Sequence, residues 1–170
     1  MLVNQGFLGT ASVALPLAQV TAQPVRAGLG SMLKRTERAP GRAKPDFYVA
    51  PDGTAMPSTG YRYMDSRFAS QTMDSMGAPG SYFTFTKFDD AASARSGLQI
   101  DPVVFRNDAR LRGQFDTLQL GDDWHVPKAF GGQGPGLEPI TNSYPNLGVG
   151  GYPQLKTDIW LNFNDVNLIP

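Results

Sequence analysis

Three places along the sequence carry side chains suited to the chemistry of a phosphorylated substrate with planar rings. Arg62 comes first in the chain, Tyr82 and Phe83 follow, and Glu138 and Gln154 come last. A guanidinium binds phosphate oxygens through paired hydrogen bonds, and an aromatic face stacks on a planar ring. A carboxylate or an amide that faces a cationic sugar stabilises the transition state for cleavage of a glycosidic bond. These residue types are suited to a ligand that carries phosphates, planar rings and a sugar.

The composition excludes several other chemistries. The chain has no cysteine, which rules out a thiol nucleophile, a disulfide framework and a thiolate metal site. His125 is the only histidine, so sites that need two histidines are excluded as well. The sequence also has no H-E-x-x-H, P-loop or G-x-S-x-G motif. We therefore expect no metal at the site.

Two alternatives of a different class remain open at this stage. His125 could act as the acid or base of a metal-independent ribonuclease, with Lys128, Arg110 or Arg112 at the phosphate. The abundance of glycine, proline and aromatic residues fits equally well a non-enzymatic, β-rich secreted binding module.

Charge divides the chain into two segments. Residues 1–45 hold six basic residues against one acidic residue, a formal charge of +5, and residues 46–170 hold nine against fourteen, a charge of −5. Residues 31–45 also lose the apolar pattern and are rich in basic residues and proline, which is typical of a linker. We predict a disordered or linker-like basic segment over 1–45 and one folded domain over 46–170. An acidic body is a poor generic binder of nucleic acid.

No stretch of the sequence approaches the roughly 20 apolar residues that span a bilayer. The most apolar run, from Phe7 to Val20, is interrupted by Gly9 and Pro16 and has no charged segment before it. We expect no membrane span.

The pattern within the folded segment favours an α+β domain with short strands, short helices and many turns. A cap at Asp65 or Ser66 and a stop at Gly77 bound the first helix, and Asp89 and Gly97 bound the second. Residues 129–153 are rich in glycine and proline and are expected to form a long loop. Strands are predicted at 47–50, 60–64, 81–86, 98–105, 115–120 and 124–126, and 154–163 is predicted to form a terminal strand or an amphipathic segment. Helices are predicted from the cap at Asp65 or Ser66 to about Met76, and at 90–96.

The order of these motifs resembles the ADP-ribosyltransferase domains at the C-terminal ends of bacterial polymorphic toxins, of the Rhs-repeat and contact-dependent inhibition types. The resemblance covers roughly residues 58–160 and depends on three short motifs: GYRYM near Arg62, SYFTF near Tyr82, and a late glycine-rich segment with Glu138 and Gln154. It implies a split, mostly antiparallel sheet around a cleft that binds NAD as a substrate. It also makes the basic segment over 1–45 either a linker or a remnant of a pretoxin segment.

The resemblance also assigns roles to residues. Arg62 would be catalytic and would bind NAD, and Glu138 or Gln154 would be the catalytic polar group near the end of the fold. The Gln154 alternative is similar to necrotizing-toxin NAD glycohydrolases, whose late glycine-rich loop leads to a glutamine. The final strand has no acid-x-acid or Gln-x-acid pair, so transfer to an acceptor is less well supported than cleavage of NAD. The remaining NAD-binding positions would be Tyr63, Ser81, Tyr82, Phe83 and Thr84.

Membership of such a family would bring partners and a location with it. The resemblance implies a cognate immunity protein, and an acceptor that is a protein or an RNA of the target cell. It implies a secreted effector, or one delivered by a bacterial secretion system, that acts in the cytoplasm of a competing cell. An acidic domain favours a basic or charge-matched neutralising partner.

Overall fold

A computed structural model of the chain describes residues 43–49, 53–128 and 138–170. These residues form an α+β fold in which all strand pairs are antiparallel and the helices are short, as the sequence predicts. Most of the predicted linker lies outside the described residues. The strands are β1 (Phe47–Val49), β2 (Ala55–Pro57), β3 (Thr59–Met64), β4 (Gly77–Ala78), β5 (Tyr82–Phe83), β6 (Leu111–Asp116), β7 (Leu155–Lys156) and β8 (Leu161–Leu168); the α-helices are α1 (Ala69–Ser75) and α2 (Ala91–Leu98).

The first helix begins and ends close to its predicted limits. The Asp65 carboxylate accepts a hydrogen bond from the Arg67 backbone N–H (3.0 Å) and starts a 3-10 turn that leads directly into α1. The helix ends at Ser75 and is followed by Met76, whose left-handed conformation (φ 47°) stops it one residue before the predicted Gly77. Gly77 instead enters β4, where an added Cβ would lie 2.5 Å from the Trp160 indole nitrogen.

The second helix begins one residue later and ends two residues later than predicted. Asp90, and not Asp89, caps α2 by accepting from the Ser93 backbone N–H (2.7 Å). The predicted stop at Gly97 is wrong, because α2 continues to Leu98 and Gln99 takes the left-handed turn (φ 52°). Gly97 is required for packing, since a Cβ there would lie 2.8 Å from the Phe88 and Tyr152 rings.

Two strand predictions are also wrong, one in its existence and one in its limits. Residues 98–105 form no strand, because Leu98 ends α2 and Asp101 starts a turn by accepting from two successive backbone N–H groups. The strand predicted at 115–120 lies instead at Leu111–Asp116, after which the Asp116 side chain caps a 3-10 turn. Local side-chain capping therefore overrides the strand propensity of the apolar residues that follow.

The strands form three sheets in the described part of the chain. The largest has the order β3-β6-β8-β4, and the smaller two pair β1 with β2 and β5 with β7. One isolated bridge, between Tyr61 and Thr84, joins β3 to β5. The strand predicted at 81–86 is shorter in the structure, where it forms β5. The segment predicted as a strand at 154–163 is divided between β7 and β8.

Side chains alternate across the large sheet and pack into two cores, one on each face. The first core includes Met64, Leu111 and Phe115. The second core includes Tyr63 and the inner side of α2, which presents Ala94 and Leu98. Because Arg62 lies between Tyr63 and Tyr61 in β3, its side chain leaves the strand on the face of the first core.

Candidate functional site

One cavity of about 760 Å³ opens between β3 and β5. Its size falls within the range of pockets that enclose small ligands. Its walls come from β3, β5, the first helical turn, the segments that flank β6 and β7, and the strand that ends at Ala78. The residues predicted from the sequence to form the site all line this cavity: Arg62, Tyr63, Ser81, Tyr82, Phe83, Thr84, Glu138 and Gln154.

The cavity exists because two strands separate after a single bridge. The Tyr61 and Thr84 backbones exchange hydrogen bonds of 2.8 and 2.9 Å, so β3 and β5 meet there. Beyond this point β3 stays paired with β6, while β5 pairs with β7. The antiparallel alternation points the Tyr63 backbone N–H and C=O away from β6 and toward the opening. The Tyr63 C=O accepts a hydrogen bond from the Asn107 side chain (3.2 Å). This part of the β3 edge is not paired with another described strand, and it borders the cavity.

Arg62 is a half-buried cation that has no partner among the described residues. Its Nη1 atom is buried and makes no hydrogen bond, and no ion pair joins Arg62 to any described residue. Removal from water lowers the pKa of Arg62 to about 10, which leaves the guanidinium charged at neutral pH. A buried donor on a charged group is costly to leave unpaired. Because Arg62 also lines the cavity, its charge would attract an anion bound there.

The two polar groups proposed near the end of the fold have different surroundings. The Glu138 carboxylate accepts hydrogen bonds from the backbone N–H groups of Asn142 and Ser143 and from the Ser143 hydroxyl. This carboxylate therefore holds together the turn that follows it. The Gln154 side chain makes no hydrogen bond with any described residue, although its backbone N–H donates to the Pro139 carbonyl (3.0 Å). Gln154 thus presents an uncommitted amide to the cavity.

Gln154 lies close to the bridge between the strands. It immediately precedes Leu155, whose register partner is Phe83. By antiparallel register, Gln154 is level with Thr84 and shares a face with Tyr82. The two side chains therefore line the cavity from the same face of this small sheet, with Lys156 directly opposite Tyr82.

Tyr82 and Phe83 differ in how much of each ring can reach a ligand. Phe83 is 2% exposed and packs edge-on against Phe85 and Phe115, with ring centroids 5.7 and 5.5 Å apart. Tyr82 is half-buried at the cavity wall, and burial raises the pKa of its phenol, with Lys156 acting in the opposite direction. Tyr82 is accordingly the better stacking surface of the two.

The other three predicted positions contribute in different ways. Thr84 is buried, and its hydroxyl accepts from the Thr86 backbone N–H (3.2 Å). The Tyr63 phenol accepts from the Phe88 backbone N–H, so its ring belongs to the second core. Ser81 lines the cavity, and its carbonyl accepts from Thr157. Thr84 and Tyr63 shape the site more than they offer groups to a ligand.

Several cavity residues were not predicted from the sequence. Gln99, Phe105 and Tyr144 lie in segments without regular structure, and Trp160 lies just before β8. No local pattern marks them, because they reach the cavity only through contacts between distant segments. A buried glutamine with both ends of its amide bonded, such as Gln99, becomes visible only in the folded chain.

The residues of the ribonuclease alternative are not gathered at the cavity. Lys128 lines it, whereas His125 pairs through its backbone with Lys156 and does not. Arg112 is buried against the second core, where its Nη1 donates to the Phe88 carbonyl (2.8 Å). Arg110 is exposed just before β6. The geometry therefore gives no common site to these four side chains.

The described residues hold no group of three or more histidine, aspartate or glutamate residues placed to bind a metal ion. None of their helices combines the length and the apolar composition that a bilayer crossing needs.

Comparison with known proteins found no matching family model, no matching curated protein and no matching solved structure. The geometry of the cavity and the chemistry of its side chains are therefore the basis for assigning a function.

Proposed function

We propose that the domain is a bacterial toxin module with an ADP-ribosyltransferase-like fold that cleaves NAD. The observation that carries the proposal is Arg62, a half-buried cation with an unpaired donor in a cavity that also presents Tyr82 and Gln154. A dinucleotide supplies a partner for each of these groups: a pyrophosphate for the guanidinium, a planar ring for the phenol, and a ribose for the amide.

The reaction breaks the bond between the ribose C1′ and the nicotinamide nitrogen. Nicotinamide leaves with the bonding electron pair and becomes neutral, while positive charge develops on the ribose. Gln154 would stabilise this state through its side-chain oxygen, aimed at the ribose hydroxyls and the cationic sugar. A nucleophile then adds to C1′ and loses a proton to solvent, which completes the balance of atoms and charge.

Water is the nucleophile that the cavity favours. Among the described residues, Asp65 and Glu138 are the only acidic residues lining it. Asp65 accepts from the backbone N–H groups of Arg67 (3.0 Å) and Asp108 (3.3 Å), and Glu138 is held by its own turn. Neither carboxylate is free to activate a macromolecular acceptor, which supports hydrolysis over transfer of ADP-ribose to a protein or an RNA.

The biological setting belongs to the same proposal. A toxin of this kind would be secreted, or delivered by a bacterial secretion system, and would deplete NAD in the cytoplasm of a target cell. The producing cell would need a cognate immunity protein. The acidic charge of residues 46–170 supports a basic surface on that partner.

Nicotinamide release from NAD by the full chain tests the proposal, with Gln154→Ala and Glu138→Gln as a matched pair. We expect the wild type to release nicotinamide and Gln154→Ala to lose about 100-fold in kcat, as for other removed groups that stabilise a transition-state charge. Glu138→Gln should mainly lower thermal stability, because it weakens the bonds to residues 142 and 143.

The contrary outcomes are equally specific. A folded wild type that releases no nicotinamide would refute the NAD proposal. Full activity in Gln154→Ala together with loss in a still-folded Glu138→Gln would transfer the catalytic role to Glu138. Cleavage of RNA that is lost in His125→Ala would support the ribonuclease alternative instead.

A further inference from the structure

A second aromatic surface lines the cavity, and the roles assigned so far do not use it. Phe105 lies between α2 and β6, and Tyr144 lies in the segment after Glu138. Their ring centroids are 5.4 Å apart with planes at 69°, which is an edge-to-face contact. Phe105 nevertheless stays 43% exposed. Much of a ring that is supported from one side is therefore available to a ligand.

The aromatic pair is held rigidly by a buried glutamine. Gln99 is 3% exposed, and its Oε1 accepts from the Tyr144 backbone N–H (2.8 Å). Its Nε2 donates to the Gly148 carbonyl (3.1 Å), so one side chain fixes both ends of the segment that carries Tyr144. Ser96 adds a backbone bond to Gly150 (3.0 Å). A platform whose support is locked by packing and hydrogen bonds loses little entropy when a ligand binds.

The chain that leads to Phe105 packs on the face of β3 opposite to Arg62. Ile100 and Leu98, on either side of Gln99, pack into the second core with Tyr63, whereas Arg62 leaves β3 on the other face. Tyr82 lies in β5. The cavity is therefore lined by aromatic rings from two different parts of the chain, Tyr82 and the Phe105–Tyr144 pair.

We propose that Phe105, supported by Tyr144 and positioned through Gln99, stacks on the adenine ring of the substrate. The inference rests on the proposed function, because a dinucleotide has two planar rings and only one lies at the scissile bond. Arg106 is next in the chain, is exposed, and also lines the cavity, which suits the phosphate attached to adenosine. Phe105 then makes the site selective for a dinucleotide over a mononucleotide.

The test combines the binding of AMP with nicotinamide release from NAD and from nicotinamide mononucleotide, which has no adenine. In the full chain, Phe105→Ala should weaken AMP binding and raise KM for NAD by roughly tenfold, as expected for the loss of one base stack. The values of kcat and of KM for the mononucleotide should not change. Phe105→Trp should retain the binding. Val103→Ala, at an 83% exposed position of the same turn, should change nothing.

Gln99→Ala separates positioning from simple destabilisation. We expect it to raise KM for NAD several-fold with kcat and the mononucleotide kinetics unchanged. An equal loss for both substrates would indicate a general structural defect and would contradict the positioning role.

The possible failures can be told apart. The inference is overturned if the wild type does not bind AMP, if Phe105→Ala binds it equally well, or if Phe105→Ala impairs both substrates alike. A wild type that binds AMP through Phe105 but releases no nicotinamide would support the base platform and overturn the proposed reaction.

Discussion

Arg62 and Arg112 occupy neighbouring strands, but the two faces of the sheet give them opposite surroundings. Arg112 is the register partner of Tyr63, next to Arg62, and so faces the second core. Each arginine has one buried nitrogen without a hydrogen bond. Arg112 still donates to the Phe88 carbonyl and approaches Asp89 (3.4 Å), whereas Arg62 has no such contact and lines the cavity. Burial alone therefore does not distinguish the two arginines; Arg62 differs in lining the cavity with no hydrogen-bond or ion-pair partner among the described residues.

The largest expected effect comes from removing the unpartnered arginine. Arg62→Ala should lower kcat/KM for nicotinamide release by about 100-fold or more, because a charge-assisted, bidentate contact with pyrophosphate is lost. The kcat/KM of Arg62→Lys should lie between those of the wild type and Arg62→Ala, since lysine keeps the charge without the planar fork. The thermal midpoint should change little in either variant. Wild-type kinetics in Arg62→Ala would remove the contrast between the two arginines.

On the face of the sheet that carries Arg112, we expect a substitution to change stability and not activity. Arg112→Ala should lower the free energy of unfolding by about 2–3 kcal/mol, because the buried Phe88 carbonyl loses its donor. The folded variant should keep kcat/KM within about threefold of the wild type. Denaturant titration and nicotinamide release measure the two quantities. A selective loss of activity without loss of stability would mean that Arg112 also serves the substrate.

The sheet next to Arg62 offers a test of packing. Gly113 is the register partner of Arg62, and an added Cβ there would lie 2.7 Å from the Phe163 ring. Gly113→Ala should therefore destabilise the domain by about 1–3 kcal/mol through overpacking. Chemical denaturation measures this effect. An unchanged unfolding free energy would indicate that Phe163 does not close this face.

The smallest expected effect is a pH dependence of the free energy of unfolding that comes from Tyr63, on the same face of the sheet as Arg112. Burial raises the pKa of Tyr63 to about 12, from about 10 in the unfolded chain. The folded state therefore holds this proton to higher pH, so the contribution of Tyr63 is complete below pH 10 and is lost as pH rises toward 12. We expect a change on the order of 1 kcal/mol. Tyr63→Phe should lack this part of the decline, and identical pH profiles for the two proteins would contradict the assignment.

The sequence predicted the α+β class and placed its chemical residues in segments that the fold brings to one cavity. GYRYM lies in β3 and SYFTF contains β5 because aromatic residues favour strands, although β5 is limited to Tyr82–Phe83. The segment 98–105 failed for a physical reason: its apolar residues fit a strand equally well, and only the Asp101 turn and the left-handed Gln99 decide against it. Such capping is specified by side-chain geometry that a hydropathy pattern does not contain.

The choice between Glu138 and Gln154 could not be made from the sequence. It depends on whether a side chain is already bonded within its own loop, and the bonds from Ser143 to Glu138 exist only in the folded turn. The Phe105–Tyr144 pair was invisible for the same reason, because it joins two irregular segments that are distant in sequence. The extent of the basic linker over 1–45 stays a prediction.

Contact between Arg62 and a pyrophosphate is the central claim, and ³¹P NMR of ADP-ribose tests it most directly. The diphosphate resonances should shift and broaden on titration with the full-length wild type, and this response should be absent or at least about tenfold weaker with Arg62→Ala. Arg112→Ala, kept under conditions where it is folded, should behave as the wild type does. Resonances that do not respond to the wild type, or that respond equally to Arg62→Ala, would contradict the account.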